Sequence, residues 1–160
     1  SRMNDESLVF LKDSISRVEH LFRLVVDLDL DGALVDVASP GGSRAAAALP
    51  RIGLVAQAMN LPKQGRRILL QLNEAPSAED LLIAVGAGCS AIIAPPPNGE
   101  VETALTWIDG TLRGWMLELG INSLSELTRR NLRALDHDTA AISGLRLIGY
   151  DRPLPMWLRN

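Results

Sequence analysis

Leu8, Leu11, Ile15, Val18, Phe22 and Val25 recur at steps of three and four, the spacing that puts apolar residues on one helical face. Lys12, Asp13, Arg17 and Glu19 fall on the other side, and Asn4 or Asp5 can cap the start. The pattern predicts a first helix from Leu8 to Val25. Asp29-Leu30-Asp31-Gly32 breaks it, and Ala33 to Ala38 reads as a buried strand. A loop, Ser39-Pro40-Gly41-Gly42-Ser43, leads to a second helix between Arg44 and Asn60. Pro50 suits a first helical turn, and Pro62 and Gly65 mark the end.

Arg66 to Leu72 is the second strand. Ser77-Ala78-Glu79-Asp80 has the form of a capping box, opening a helix that Gly86-Ala87-Gly88 stops. Ser90 to Ala94 is the third strand, and Pro95-Pro96-Pro97 forbids its extension. A long helix then runs from about Asn98 to Leu119. Leu105, Ile108, Leu112, Trp115 and Leu119 form its apolar face, and Gly110 and Gly114 leave a notch beside Trp107 and Trp115. Gly120 closes it. Ser123-Leu124-Ser125-Glu126 has the form of a second capping box opening a short helix toward Arg130, and Asp136 caps another from His137 to Ser143, stopped by Gly144. The tail from Tyr150 to Asn160 is expected to lie across the surface.

Near-continuous apolar strands alternating with helices imply an α/β fold with a parallel sheet covered on both faces. Barrel and open sheet share this pattern. One domain over 1–160 is expected, with no internal repeat.

Composition narrows the function classes. The chain is 47% apolar and 22% charged, within the globular range, and only 4% aromatic, so the core must rest on Leu, Ile, Val and Ala. A formal charge of −3 argues against a general nucleic-acid binder. The exception, Arg129, Arg130 and Arg133, reads as a solvated helix face. The single cysteine, Cys89, leaves no intrachain disulfide and no cysteine-built metal site, and reads as a buried thiol. His20 and His137 have no second ligand at metal spacing. No apolar run reaches the ~18 residues of a membrane helix, so no membrane and a reducing cytoplasm are expected. Ser1-Arg2 ahead of Met3 reads as a cloning remnant. Asp36, inside a strand, needs a partner, with Arg44 or Arg67 in view.

Asp31 to Ala46, with Gly41-Gly42-Ser43-Arg44 at its centre, resembles the flavin-barrel segment of glutamate synthases, where a strand leads into a glycine-rich loop. Ile68 to Ala94 looks like that family's two closing strands. Gly120 to Gly149 is similar to the helical extension after the barrel in glutamate synthase-related, FMN-binding proteins. The resemblance implies a partial (half) TIM-type β/α barrel of three or so parallel strands over 1–97, then the long helix and extension over 98–160.

It also implies a cofactor loop at Gly41, Gly42, Ser43 and Arg44, where backbone N–H groups near a helix start favour a phosphate. This chain departs from the family there: Arg44 stands where another glycine is expected, and Glu74, Pro76 and Pro95 to Pro97 replace donors with a negative charge or no N–H. The family's iron–sulfur cysteines are missing between Pro95 and Gly120.

Two functions follow as expectations. In the first the chain is a catalytically inactive half-barrel that binds no cofactor and acts through a homo-oligomer or a protein partner completing the barrel. In the second it is an FMN- or phosphate-ligand subunit of a glutamate synthase-like oxidoreductase, with its missing strands supplied by a partner.

Overall fold

The computed structural model describes residues 7–37 and 45–150, the side chains of 45–48 excepted. The described residues form four strands, β1 (Phe10–Ser14), β2 (Gly32–Asp36), β3 (Arg67–Gln71) and β4 (Ala91–Ile93), and five α-helices. These helices are α1 (Val18–Asp27), α2 (Ala45–Ala58), α3 (Ala78–Gly86), α4 (Val101–Leu119) and α5 (His137–Ser143). All strand pairs are parallel, in the order β1-β2-β3-β4.

The first predicted helix is therefore half wrong. Phe10 to Ser14 is an edge strand, Ile15–Arg17 is a short 3-10 turn, and α1 begins only at Val18. Leu11 pairs laterally with Ala33, and Asp13 with Val35. From Val18 onward the helical period holds: Val18, Leu21, Phe22 and Val25 are fully buried on one face. The sheet thus has four strands where three were expected.

Parallel neighbours in sequential order need crossovers of one hand, and right-handed crossovers put every helix on the same side. The packing agrees. Ala33, Val35, Ile68 and Leu70 join residues of α1, α2 and α3 in one hydrophobic cluster, with Leu11 and Ile92 at its margin. The alternate residues, Lys12, Leu34, Asp36, Leu69, Gln71 and Ile93, belong to neither hydrophobic cluster. The expected cover on both faces is not found among the described residues.

Local signals elsewhere hold well. Ser77 and Asp80 form the capping box of α3, with Asp80 N–H donating to Ser77 Oγ at 3.1 Å and Ser77 N–H to Asp80 Oδ2 at 3.0 Å. Asp136 caps α5 by accepting from Thr139 N–H at 2.7 Å. Pro50 lies inside α2 instead of opening it, and as an imino residue it cannot donate to the preceding turn. The Ser123 segment makes only a 3-10 turn, Leu124–Glu126, and the second capping box belongs to Thr128 and Asn131.

Glycine positions separate a used notch from an unused one. A Cβ on Gly53 would meet Ala87 O at 2.6 Å, so this glycine lets α2 approach the end of α3. A Cβ on Gly110 or Gly114 would meet nothing within 4 Å. Gly110→Ala and Gly114→Ala are each expected to stabilise the chain by about 1 kcal/mol, from helix propensity alone. A urea midpoint that falls in either variant would show that something occupies this side of α4.

Residues after α4 form a second, smaller cluster around Leu127, Leu132, Ala134, Ala140, Leu145 and Leu147, seated on Leu82 of α3. This extension packs against α2 and α3, on the helix side of the sheet.

Candidate functional site

In a parallel α/β sheet, ligands bind outside the carboxyl ends of the strands. The register puts Ser14, Asp36, Gln71 and Ile93 side by side in that last row. One step back on the same face lie Lys12, Leu34, Leu69 and Ala91.

Lys12 Nζ lies 3.0 Å from Asp36 Oδ2, joining the two rows by an ion pair. The Lys12 side chain is half exposed, so the pair is worth about 1 kcal/mol or less. The pair orients the Asp36 carboxylate on the strand. Arg67, one expected partner of Asp36, stands opposite Gly32 at the far end of β2. Four residue steps along the strand separate those positions, roughly 13 Å. Arg44, the other, lies outside the described residues together with Gly41, Gly42 and Ser43. Those four positions join the carboxyl end of β2 to the start of α2 in the chain.

The rest of this rim offers little chemistry. Ser14 Oγ accepts from Ser16 N–H and serves as the cap of the 3-10 turn. Glu74 and Pro95 and Pro96, beyond β3 and β4, are exposed, with Pro76 half-buried. Asp13, on the helix side of β1, accepts from Ser14 N–H at 2.7 Å and pairs with Arg17. The Ser14 N–H, then Arg17, holds its carboxyl below the usual value. Cys89 lies buried at the margin of the main core, and burial pushes its thiol up to about 12. A thiol held there supplies no thiolate nucleophile near neutral pH. His20 and His137 are exposed, and no group of three His, Cys, Asp or Glu suited to a metal occurs among the described residues.

Comparison with protein-family models, curated proteins and solved structures finds no match for this chain. Among the described residues, no helix is long and apolar enough to cross a membrane.

What distinguishes this face is its apolar content. Leu34 and Leu69 lie half-buried beside each other at the centre, and Ile93 is 48% exposed at the margin. Phe10 covers Gly32 in the lowest row, where a Cβ would meet the ring at 2.7 Å. Leu34, Leu69, Ile93 and Phe10 with one ion pair, on a sheet whose β1 and β4 edges are unpaired among the described residues, fit a packing surface better than a reaction centre. Lys12 escaped the sequence reading because its strand was read as helix. The signal available was the Leu11-Lys12 alternation, in a segment too short to outweigh a longer helical period.

Proposed function

We propose that this chain is a half-barrel of the glutamate synthase type that works through assembly, its sheet completed by a second copy of itself. The observation that supports it most is the sheet itself: four parallel strands in sequential order, with α1, α2 and α3 packed on one face. Four strands are half of the eight whose interior side chains just fill a small barrel. Two copies related by a two-fold axis supply eight, pairing β4 of each with β1 of the other. Leu34, Leu69 and Ile93 then lie in the shared interior, in two adjacent layers, and the β1 and β4 edges are paired.

The test is native mass spectrometry or light scattering at micromolar concentration. A mass of at least twice the 17.3 kDa chain is expected. Leu69→Glu, which puts a carboxylate in the shared interior, is expected to leave a folded monomer. A wild-type monomer at 17.3 kDa would overturn the proposal. The flavin reading draws support from the polar rim row Ser14, Asp36 and Gln71 at the strand ends. A visible flavin band that persists through gel filtration would favour it. The Asp36 and Glu74 carboxylates, which would repel a phosphate on that rim, favour assembly instead.

A further inference from the structure

On the helix side of the sheet, the extension builds a second concavity. It is a cavity of about 510 Å³ whose polar walls are Gln57, Thr128, Arg129, Arg130, Arg133 and Arg146. Among the described residues no carboxylate lines it. Four arginines therefore line one place on a chain whose formal charge is −3.

The fold brings them together from two segments. Arg129 and Arg130 lie in a 3-10 turn, Arg129–Asn131, that the Thr128–Asn131 capping box holds in shape. Arg133 follows directly. Arg146 arrives after α5, fixed by a parallel bridge between Ala134 and Leu147. Ala134 N–H donates to Arg146 O at 2.8 Å, and Ile148 N–H to Ala134 O at 2.8 Å. Arg129 donates to Ser143 O at 2.6 Å, and Arg133 to Leu132 O at 2.9 Å. A guanidinium has five N–H donors, and the two Arg133 bonds use only Nη1, which leaves its other nitrogens for a ligand. Arg130, Arg133 and Arg146 make no salt bridge among the described residues.

We propose that this cavity is a binding site for a small oligophosphate. Guanidinium groups match phosphate oxygens in pairs, and several phosphates in one ligand match several arginines in one concavity. One phosphate would leave most of the mutual repulsion among Arg130, Arg133 and Arg146 in place. A polynucleotide suits the surface less well, because its backbone needs a basic track and the remaining charge here is acidic on balance. A smaller cleft of about 130 Å³ shares Gln57, Thr128 and Arg129 with the cavity and continues between Gly53, Ala56 and Leu127. It offers room for an uncharged body attached to the phosphates. The site is on the other side of the helix layer from the open sheet face and does not depend on the assembly proposed above.

Inorganic tripolyphosphate is the probe, titrated by calorimetry into the full chain at low ionic strength. Saturable binding is expected, with inorganic monophosphate much weaker. Arg130 and Arg146 are exposed and their side chains donate no hydrogen bond among the described residues, so R130E/R146E is expected to fold. Its affinity for tripolyphosphate should fall about 100-fold, roughly tenfold per lost charged contact. R23E/R113E makes the same change in net charge away from the cavity and should stay within about threefold of wild type. Absence of binding in the wild type would overturn the proposal. So would equal losses in the two variants, monophosphate binding as tightly as tripolyphosphate, or a short RNA binding more tightly than either.

Discussion

Gly32→Ala is expected to remove about 4 kcal/mol or more of the chain's stability. Gly32 opens β2 between the two strands that flank it, opposite Phe10 on one side and Arg67 on the other. A Cβ there would stand 2.1 Å from Arg67 O and 2.7 Å from Phe10 Cε1. The ring can turn aside. The carbonyl is part of the β2–β3 ladder and cannot move without breaking the central pairing, where Arg67 N–H already donates to Asp31 O at 3.0 Å. Overpacking of an ordinary core site costs roughly 1–3 kcal/mol. A backbone clash this close, in the strand that carries Ala33 and Val35 into the core, should exceed that range and reach about 4 kcal/mol or more. Domains of this size hold only some 5–15 kcal/mol in total. Circular dichroism and a urea titration measure the effect. The double variant F10A/G32A separates the two contacts: removing the ring should restore little, and a full rescue would mean that the carbonyl contact is not the one that matters.

The same strand pair shows where sequence reading succeeds and where it stops. Ala33 to Asp36 and Ile68 to Gln71 are nearly unbroken apolar runs between turn residues, and both appear as strands close to their expected limits. β1 has no such signal. Of its five residues only Phe10 and Leu11 are apolar, none is β-branched, and Leu8, Leu11 and Ile15 happen to continue the spacing of α1. Its strand form comes from pairing with β2, a contact about twenty residues away in the chain, which no local window contains. With β1 read as helix, the strand count came out one short and Lys12 was not seen as a partner of Asp36. A one-sided helix layer also could not be foreseen without the strand order.

The arginine cavity was invisible for a related reason. Arg129, Arg130 and Arg133 stand close together, but a charge run of that length reads as a solvated face. Arg146, which turns the run into a concave site, joins only through the Ala134–Leu147 bridge. Capping boxes and glycine stops involve neighbours three or four residues apart, and so were legible: Ser77 with Asp80, Asp136 with Thr139, and Gly120 and Gly144 in left-handed conformation all stand where expected. Gly53 gave no sequence sign of its role, since only the position of Ala87 makes its missing side chain necessary. The candidate loop Gly41 to Arg44 lies outside the described residues and enters neither proposal.

Phe22→Ala is expected to destabilise the whole chain by about 3–5 kcal/mol, the range for emptying a buried aromatic site. Phe22 is fully buried within the main core, one of only two phenylalanines in a chain poor in aromatics. Leu21, Leu49, Ile52 and Leu70 are equally buried members of the same cluster, and a close-packed interior recovers only part of such a void. The effect should not stop at that cluster. α3 gives Ala84 to the main core and Leu82 to the smaller one, so the two share a helix whose position both determine. Gly86 strengthens the link, because a Cβ there would already press Leu132 of the extension at 3.0 Å. Hydrogen exchange is the measurement that separates coupled from independent units. In Phe22→Ala, the amides of Ala134 and Ile148, which hold the extension's bridge, should lose protection together with those of β2 and β3. If their protection stays at the wild-type level while the sheet's falls, the extension folds on its own, and the arginine cavity would survive the loss of the sheet beneath it.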